Sequence, residues 1–284
     1  MSKIGLLVCG NSGIDYEKVD FPYEIVRSKL VIDGQEYEDF VDIKADEFYN
    51  IIAKNPNINL STAQASTGEI AAKLELFKEQ GYKDVIAVII SSGLSGTYQN
   101  VVLAGELVPD INLYPVDSHS VTFGQLAQVY KAAEMIKAGF PAQEIFEYLE
   151  EYKTRIQVYV LVDTLKFLVK NGRLSVASGM LGSLLKIKPL LYFTPTGHLV
   201  PYERIRTFSK ARRRLIELAK QEIDDGIEGF YLAYTNNQEV VEGIRDEILA
   251  YAPELSIKLY PLTPVVGAHA GPGTCGFGIV RKKK

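Results

Sequence analysis

Long uninterrupted apolar stretches are missing from this sequence of 284 residues. Its longest apolar runs, such as residues 85–90, fall far below the roughly 20 residues that a membrane-spanning helix needs. The first nine residues contain a short apolar stretch but no signal-peptide cleavage pattern. We therefore expect a soluble protein that remains in the cytoplasm.

Cysteine is scarce, and basic residues are not in excess. The two cysteines, Cys9 and Cys275, lie near opposite ends and form neither a CxxC pair nor a disulfide framework, which suits a reducing cytosol. The formal charge of −4 argues against nucleic acid as the default partner, because phosphate binding needs a basic face. No Walker A sequence is present, which argues against a phosphotransferase.

Hydrophobic residues at 47% and charged residues at 23% are close to the average of globular proteins. Short apolar runs alternate with helical patterns, which predicts an α/β fold with mostly parallel sheets. The length favours two α/β domains, residues 1–155 and 156–284, with the boundary in the charged segment 150–155.

The predicted strands are residues 4–9, 84–90, 112–116, 157–162, 189–193, 199–205, 229–234 and 256–260. The predicted helices are residues 67–80, 96–107, 123–138, 141–153, 209–225 and 238–251, each with apolar residues near helical spacing.

The segment 91–98 follows a buried strand and leads into a helix through small and hydroxyl residues. Hydroxyl groups and unpaired helix N–H groups then meet at the positive end of a helix dipole, where an anion binds well. In open α/β sheets, ligands also bind at the carboxyl ends of strands. From the residues alone, Ser95 is equally well explained as a ligand contact or as a helix cap.

A second hydroxyl cluster, residues 61–69, also precedes a helix. Ser66 and Glu69 have the spacing of a capping box, which leaves Thr62 and Gln64 without a structural role. A polar loop is a sufficient explanation of this segment when it is taken alone.

Glycines are concentrated near the C-terminus. Gly271, Gly273 and Gly276 match G-x-G-x-x-G, but only eight residues follow, too few for the helix of a dinucleotide site. We interpret these glycines as permitting close backbone approach. His269 lies among small residues, and it is either a buried histidine with satisfied hydrogen bonds or a ligand contact.

Positive charge is concentrated in the second half, where a glycine turn presents Arg173 at a predicted helix end and Arg206 follows a predicted strand. Docking to an anion or an acidic partner is compatible with this turn. The aliphatic segments 180–185 and 187–193 are candidates for the wall of an acyl channel, although ordinary core is the stronger interpretation.

Taken together, these segments resemble the DegV family of bacterial fatty-acid-binding proteins, which includes the carrier subunits of fatty acid kinase. The resemblance covers almost the whole chain and rests on four motifs in the family's order. The segments that carry it are residues 61–65, 91–99, 168–175 and 264–271. The sequence departs from the family pattern at three positions: Ala63 and Ala65 replace a Ser and a Pro, and Asn11 replaces an Asp.

The resemblance implies a fatty acid site between two α/β domains, with no cofactor and no metal. By this resemblance, Thr62 and Ser95 receive the carboxylate of a long-chain fatty acid and His269 lies beside it. Additional ligand contacts are expected from Ser61, Ser92 and Gly96.

The resemblance also implies that the protein is a non-catalytic carrier. It presents the fatty acid to the catalytic subunit of a fatty acid kinase, through Arg173 and with Arg206 as a second contact. A transient contact with a membrane is compatible with this role.

A serine hydrolase is the main alternative. Ser95, Asp117 or Asp163, and His269 follow the chain order of an α/β-hydrolase triad. However, Thr97 occupies the position of the last glycine of the nucleophile elbow, and no H-G-G-G oxyanion loop is present.

Overall fold

The computed structural model describes residues 3–55, 57–175 and 187–283. The proposed channel segment 180–185 lies outside the described residues. The strands are β1 Ile4–Cys9, β2 Glu24–Val26, β3 Lys29–Ile32, β4 Gln35–Glu38, β5 Leu60–Ala63, β6 Asp84–Ile89, β7 Asn112–Asp117, β8 Ile156–Leu161, β9 Leu190–Phe193, β10 Leu199–Glu203, β11 Ile227–Tyr234, β12 Lys258–Pro261 and β13 Cys275–Arg281. The helices are α1 Ala45–Lys54, α2 Thr67–Glu79, α3 Thr97–Leu107, α4 Phe123–Lys137, α5 Ala142–Tyr152, α6 Lys166–Lys170, α7 Phe208–Asp225, α8 Gln238–Tyr251 and α9 Pro264–Ala270.

A parallel sheet with strand order β2-β1-β6-β7 organises the first half of the chain. Its strands are continuous apolar runs, and all six residues of β6 are buried, as expected for a sheet covered on both faces. Side chains of alternating direction pack in one core with α2 and α3 and in another with α4 and α5. The predicted α/β class is confirmed.

The second sheet, with order β10-β9-β8-β13-β11-β12, corrects the prediction of mostly parallel sheets. Within the described part of this second sheet, β11 and β12 pair in parallel and the other four pairings are antiparallel. The turn from β9 to β10 is too short for the crossover that a parallel connection requires. The helices α7 and α8 cover one face of this sheet.

A small antiparallel sheet, β4-β3-β5, packs with α1 and α9 around Leu30, Phe48 and Val265. Contacts in this unit join the two halves of the sequence. Tyr49 donates a hydrogen bond to the Leu262 carbonyl (3.0 Å), and the Asp39 carboxylate accepts one from the Val265 N–H at the start of α9 (3.1 Å). The residues that form α9 are therefore held against the N-terminal half.

The glycine-rich segment near the C-terminus forms the central strand β13, which the sequence analysis did not predict. A Cβ at Gly276 would overlap the Tyr159 carbonyl oxygen of β8 and lie 3.2 Å from Val160 Cα. The expected close backbone approach is thus confirmed at Gly276. A strand, not a helix, follows the glycines, in agreement with the rejection of a dinucleotide site.

Among the described residues, no helix has both the length and the apolar character needed to cross a membrane. In the same ranges, no three His, Cys, Asp or Glu side chains are grouped so that they could hold a metal ion.

Gly276→Ala should lower the free energy of unfolding by about 1–3 kcal/mol, because backbone atoms of a central strand pair cannot move aside for the added methyl group. Urea denaturation followed by circular dichroism measures the change. Gly68→Ala is the control: no heavy atom lies within 4 Å of a Cβ there, so it should be neutral or stabilising by up to about 1 kcal/mol. Wild-type stability of Gly276→Ala would contradict the close packing of β13 on β8.

Candidate functional site

One cavity of about 430 Å³ lies between the two halves of the chain. Its volume falls within the range of about 300–1,000 Å³ that is typical of small-molecule sites. Most of its wall is apolar. The apolar side chains that line it are Ile90, Leu94, Val121, Phe123, Val158, Val160, Val162, Leu168, Phe193, Leu199, Leu262, Val265 and Val266.

The cavity begins at the carboxyl edge of the parallel sheet. The chain runs from β1 to β2 on one side and continues later with β6 on the other side, so the strand order reverses between β1 and β6. Asn11 follows β1, the segment from Ser91 to Ser95 follows β6, and both Asn11 and Ser95 line the cavity. This edge is where open α/β sheets bind their ligands.

Strand β8 shows how the second sheet supplies an apolar wall. All three residues 158–160 of β8 line the cavity, and the side chains of Val158 and Val160 alternate in direction with that of Tyr159. Tyr159 donates its hydroxyl proton to Glu222 of α7, on the opposite face (3.0 Å). The predicted segment 187–193 contributes Phe193 to the cavity wall.

The polar end of the cavity contains a hydrogen bond between Thr62 Oγ1 and His269 Nε2 (2.8 Å). Thr62 lies in β5, opposite Leu30, and His269 lies in the last turn of α9. Their pairing joins residues 207 positions apart in the sequence. Two residues proposed from separate motifs are thus in direct contact.

His269 is neutral at physiological pH. Burial, together with the nearby positive charge of Arg173, lowers the pKa of His269 to about 4. The sequence analysis left open a buried histidine or a ligand contact, and the structure gives a half-buried residue on the cavity wall. Its Nδ1 is buried without a hydrogen-bond partner in the described part of the chain.

The proton positions at this pair decide its chemistry. When the imidazole carries its proton on Nε2 and donates it to Thr62 Oγ1, the Thr62 hydroxyl is free to donate to a ligand oxygen. In the other tautomer the hydroxyl proton is used by Nε2. The pair can therefore offer a hydroxyl donor to an anion only with the proton on Nε2.

Ser95 lies between the end of β6 and the start of α3, and the predicted contact of its hydroxyl with a ligand stays a prediction. Its Oγ accepts a hydrogen bond from the Thr97 N–H (3.3 Å) and shares one with the Thr97 hydroxyl (2.9 Å), at the start of α3. The same side chain lines the cavity. Ser95 thus binds the first residue of α3, and its hydroxyl lies at the edge of the cavity.

Arg173 lines the cavity as well, and its guanidinium is held by backbone carbonyls. Nε donates to Leu94 O (3.2 Å) and Nη1 donates to Asn171 O (2.6 Å). The contact with Leu94 links the turn after α6 to the segment after β6. Arg173 is therefore placed beside the head of the cavity, and its position does not test the predicted contact with a partner.

The other predicted site residues lie off the cavity wall. Ser61 is exposed and alternates with Thr62 along β5, so its side chain is on the other face. Ser92 is exposed and its N–H is bound by the Asp117 carboxylate (3.1 Å). Gly96 is exposed beside the Gln64 side-chain amide, and Arg206 is exposed at the surface.

The described residues do not assemble the triad of the hydrolase alternative. His269 bonds to Thr62 and not to Ser95. Asp117 accepts hydrogen bonds from the N–H groups of Ser92 and His119, and Asp163 pairs with Lys188. No carboxylate orients His269 in the described part of the chain, so the general-base arrangement is missing there.

Several polar residues of the cavity wall were not proposed as site residues, among them Asn11, Ser28 and Thr122. Asn11 was noted only as a departure from the family pattern. A search for polar residues directly after each buried strand identifies Asn11, because it follows β1. No comparable local signal marks Ser28 or Thr122.

The fold and the cavity together define an α/β protein with an apolar cavity whose polar end lies at the carboxyl edge of a parallel sheet. The family described as "Uncharacterised protein, DegV family" matches residues 17–282, and the chain belongs to this family.

Relatives and solved structures agree with this assignment. A DegV domain-containing protein of Listeria innocua is 34% identical over 93% of each chain. The structure of a fatty acid binding DegV family protein from Streptococcus agalactiae has a TM-score of 0.90, with 26% identity and full coverage of both chains. DegV from Bacillus subtilis, described as a fatty acid binding protein, has a TM-score of 0.88, with 29% identity over 99% of this chain and 100% of that one.

The neutral state of His269 makes stability depend on pH. An unfolded histidine, with a pKa of 6.5, takes up a proton that the folded protein resists until pH falls to about 4. The contribution of His269 should therefore lower the free energy of unfolding of the wild type by up to about 3 kcal/mol as pH falls from 6.5 to 4. Urea denaturation of wild type and His269→Gln across this range measures the difference between them.

Burial raises the pKa of Asp39 to about 6, so this carboxyl increases the free energy of unfolding as pH falls, opposite to His269. Asp39 is present in both the wild type and His269→Gln, so its contribution cancels in the difference between them. The stability of the wild type relative to His269→Gln should decrease toward acid pH. A difference that is constant with pH would contradict a neutral, half-buried His269.

Proposed function

We propose that this protein binds one long-chain fatty acid in the cavity and presents its carboxylate to a fatty acid kinase. The observation that carries the proposal is an apolar cavity that ends in the Thr62–His269 pair and the Ser95 hydroxyl. The solved relatives that are described as fatty acid binding proteins support it.

The apolar walls can account for affinity. About 15 methylene groups, at about 0.8 kcal/mol each, give roughly 12 kcal/mol of gross transfer free energy. Association and ordering costs reduce this value substantially. The polar end therefore has little need to add affinity, and its role is to fix the orientation of the chain.

The carboxylate can be stabilised without a metal ion. The Thr62 hydroxyl donates while His269 Nε2–H donates to Thr62, and Ser95 offers a second hydroxyl beside the N-terminus of α3. The charge of Arg173 acts on the same region, as its effect on the pKa of His269 indicates. Hydrogen bonds to a charged group of this kind are worth about 1.5–3 kcal/mol each.

The polar end lies near the protein surface, which suits presentation of the head group to another protein. Ala63 and Gln64 line the cavity and are exposed. In the proposed reaction the kinase supplies ATP, and a carboxylate oxygen takes the terminal phosphoryl group while ADP leaves. The protein itself is a carrier and not a catalyst in this scheme.

Arg173 and Arg206 are the residues that we assign to the kinase contact. Arg173 uses Nε and Nη1 for backbone carbonyls, and its Nη2 has no hydrogen-bond partner among the described residues. Arg206 is exposed and makes no ion pair in the described ranges. A planar guanidinium can bind a carboxylate of the partner through two hydrogen bonds.

The proposed location is the cytoplasm, with transient contact with a membrane when the fatty acid is exchanged. Cys9 and Cys275 are both free and buried, which is compatible with a reducing compartment.

Thr62→Val and Ser95→Ala should each weaken oleate binding by about 10–100-fold, because each removes a hydrogen bond to a charged head group. Titration of delipidated protein with oleate, by displacement of a fluorescent fatty acid, measures the affinity. Ser61→Ala is the matched control, since this neighbouring hydroxyl lies off the cavity wall. Wild-type affinity in both Thr62→Val and Ser95→Ala would reject the assigned polar end.

Arg206→Glu should leave the amount of bound fatty acid unchanged and reduce kinase-dependent acyl phosphate formation by at least about tenfold, because it reverses a charge at the proposed docking surface. Bound lipid and acyl phosphate are quantified on one preparation. Arg213→Glu, on the exposed face of α7, is the control. Normal phosphorylation of Arg206→Glu removes this residue from the contact.

In the same assay, parallel loss of lipid and phosphorylation in Arg173→Ala would assign Arg173 to the pocket.

A further inference from the structure

Three buried polar side chains that the N-terminal half contributes to the cavity wall have no role in the function proposed so far. Asn11 is 2% exposed, and Ser28 and Thr122 are each 8% exposed. All three line the cavity. Polar groups buried to this extent normally have hydrogen-bond partners, so their position at a ligand cavity requires an explanation.

Asn11 is oriented by its neighbours toward the cavity. Its Oδ1 accepts a hydrogen bond from the Ser28 hydroxyl (3.3 Å), and its backbone oxygen accepts one from the Thr122 N–H (3.0 Å). Its Nδ2 amino group has no hydrogen-bond partner in the ranges that the structure describes. A neutral amide donor is thus left free at the cavity wall.

Thr122 adds an independent sign of a functional turn. It has φ +56° and ψ −133°, a conformation that a β-branched residue rarely adopts. Such strain persists only where the surrounding structure enforces it, and it is concentrated at ligand sites. The strained turn is the one whose N–H binds Asn11, so the fold holds Asn11 in place at a conformational cost.

The register of β3 with β5 places Ser28, the hydrogen-bond partner of Asn11, near Thr62. In this pairing Leu30 lies opposite Thr62, so Ser28 is diagonal to Thr62, at a residue spacing of roughly 7–8 Å. Asn11 and Thr62 both line the cavity. A carboxylate has two oxygens, and these can accept hydrogen bonds from two different donors.

We propose that Asn11 is a further ligand-binding residue, whose Nδ2 donates a hydrogen bond to the second carboxylate oxygen while Ser28 holds the amide. This inference rests on the proposed fatty acid binding and adds a determinant of specificity to it. Because the amide is neutral, it tolerates a negative head group that a carboxylate at the same position would repel.

The test is Asn11→Asp, which keeps the shape of the side chain and the acceptor for Ser28 but adds a negative charge. Affinities of delipidated protein for oleate and for oleyl alcohol are measured by displacement of a fluorescent fatty acid. We expect oleate affinity to fall by at least about tenfold and oleyl alcohol affinity to stay within about threefold, because only the charged head is repelled. Ser28→Ala should weaken oleate binding by about threefold without affecting the alcohol.

Asn55→Asp is the control for charge, since it adds the same charge on the surface at the end of α1 and should change neither affinity. Thermal unfolding without ligand verifies that each variant folds. Unchanged oleate affinity in Asn11→Asp overturns the inference and leaves the proposed function standing. An equal loss for oleate and the alcohol also overturns it, because Asn11 would then support the cavity shape. A wild type that does not bind oleate removes the proposed function and this inference with it.

Discussion

The hydrogen bond between the Thr62 hydroxyl and the His269 imidazole closes the polar end of the cavity, and the site geometry depends on it. It links β5 to α9 across 207 sequence positions. A charged imidazole could not be buried there without a counterion, and the lowered pKa of His269 keeps the ring neutral. A neutral imidazole can donate its proton to Thr62, and the Thr62 hydroxyl can then donate to a ligand oxygen. The positive charge near this pair is that of Arg173.

The rest of the fold holds this pair in position. The Asp39 carboxylate binds the N–H at the start of α9, and Tyr49 fixes the chain just before it. The Ser91 hydroxyl donates to the Gly197 carbonyl (2.8 Å), which joins the segment after β6 to the turn between β9 and β10. These contacts place one cavity between two sheets whose facing sides share a hydrophobic core, which includes Val85 of β6 and Val158 of β8. An elongated apolar ligand buried there would contact both halves at once.

Local pattern was sufficient for the elements with strong periodicity. The six predicted helices and eight predicted strands agree with the structure within two residues at each end. The sheet β4-β3-β5 was missed, although Asp33-Gly34 between β3 and β4 is a strong hairpin signal, with φ of +48° and +88°. Strand β13 was missed because glycine normally weakens a strand, whereas Gly276 is required here by the approach of β8.

The sequence by itself determined the α/β class, the rejection of a dinucleotide site at the C-terminal glycines, and the polar segments that contain Thr62, Ser95 and His269. Those features are encoded in residues close together along the chain, as periodicity and as short motifs. Only the tertiary structure decided that Thr62 and His269 are bonded, that Ser61 faces away, and that Asn11, Ser28 and Thr122 join the wall. The physical reason is that these relations depend on the register of β3 with β5 and on the reversal of strand order between β1 and β6, which are contacts between segments distant in sequence.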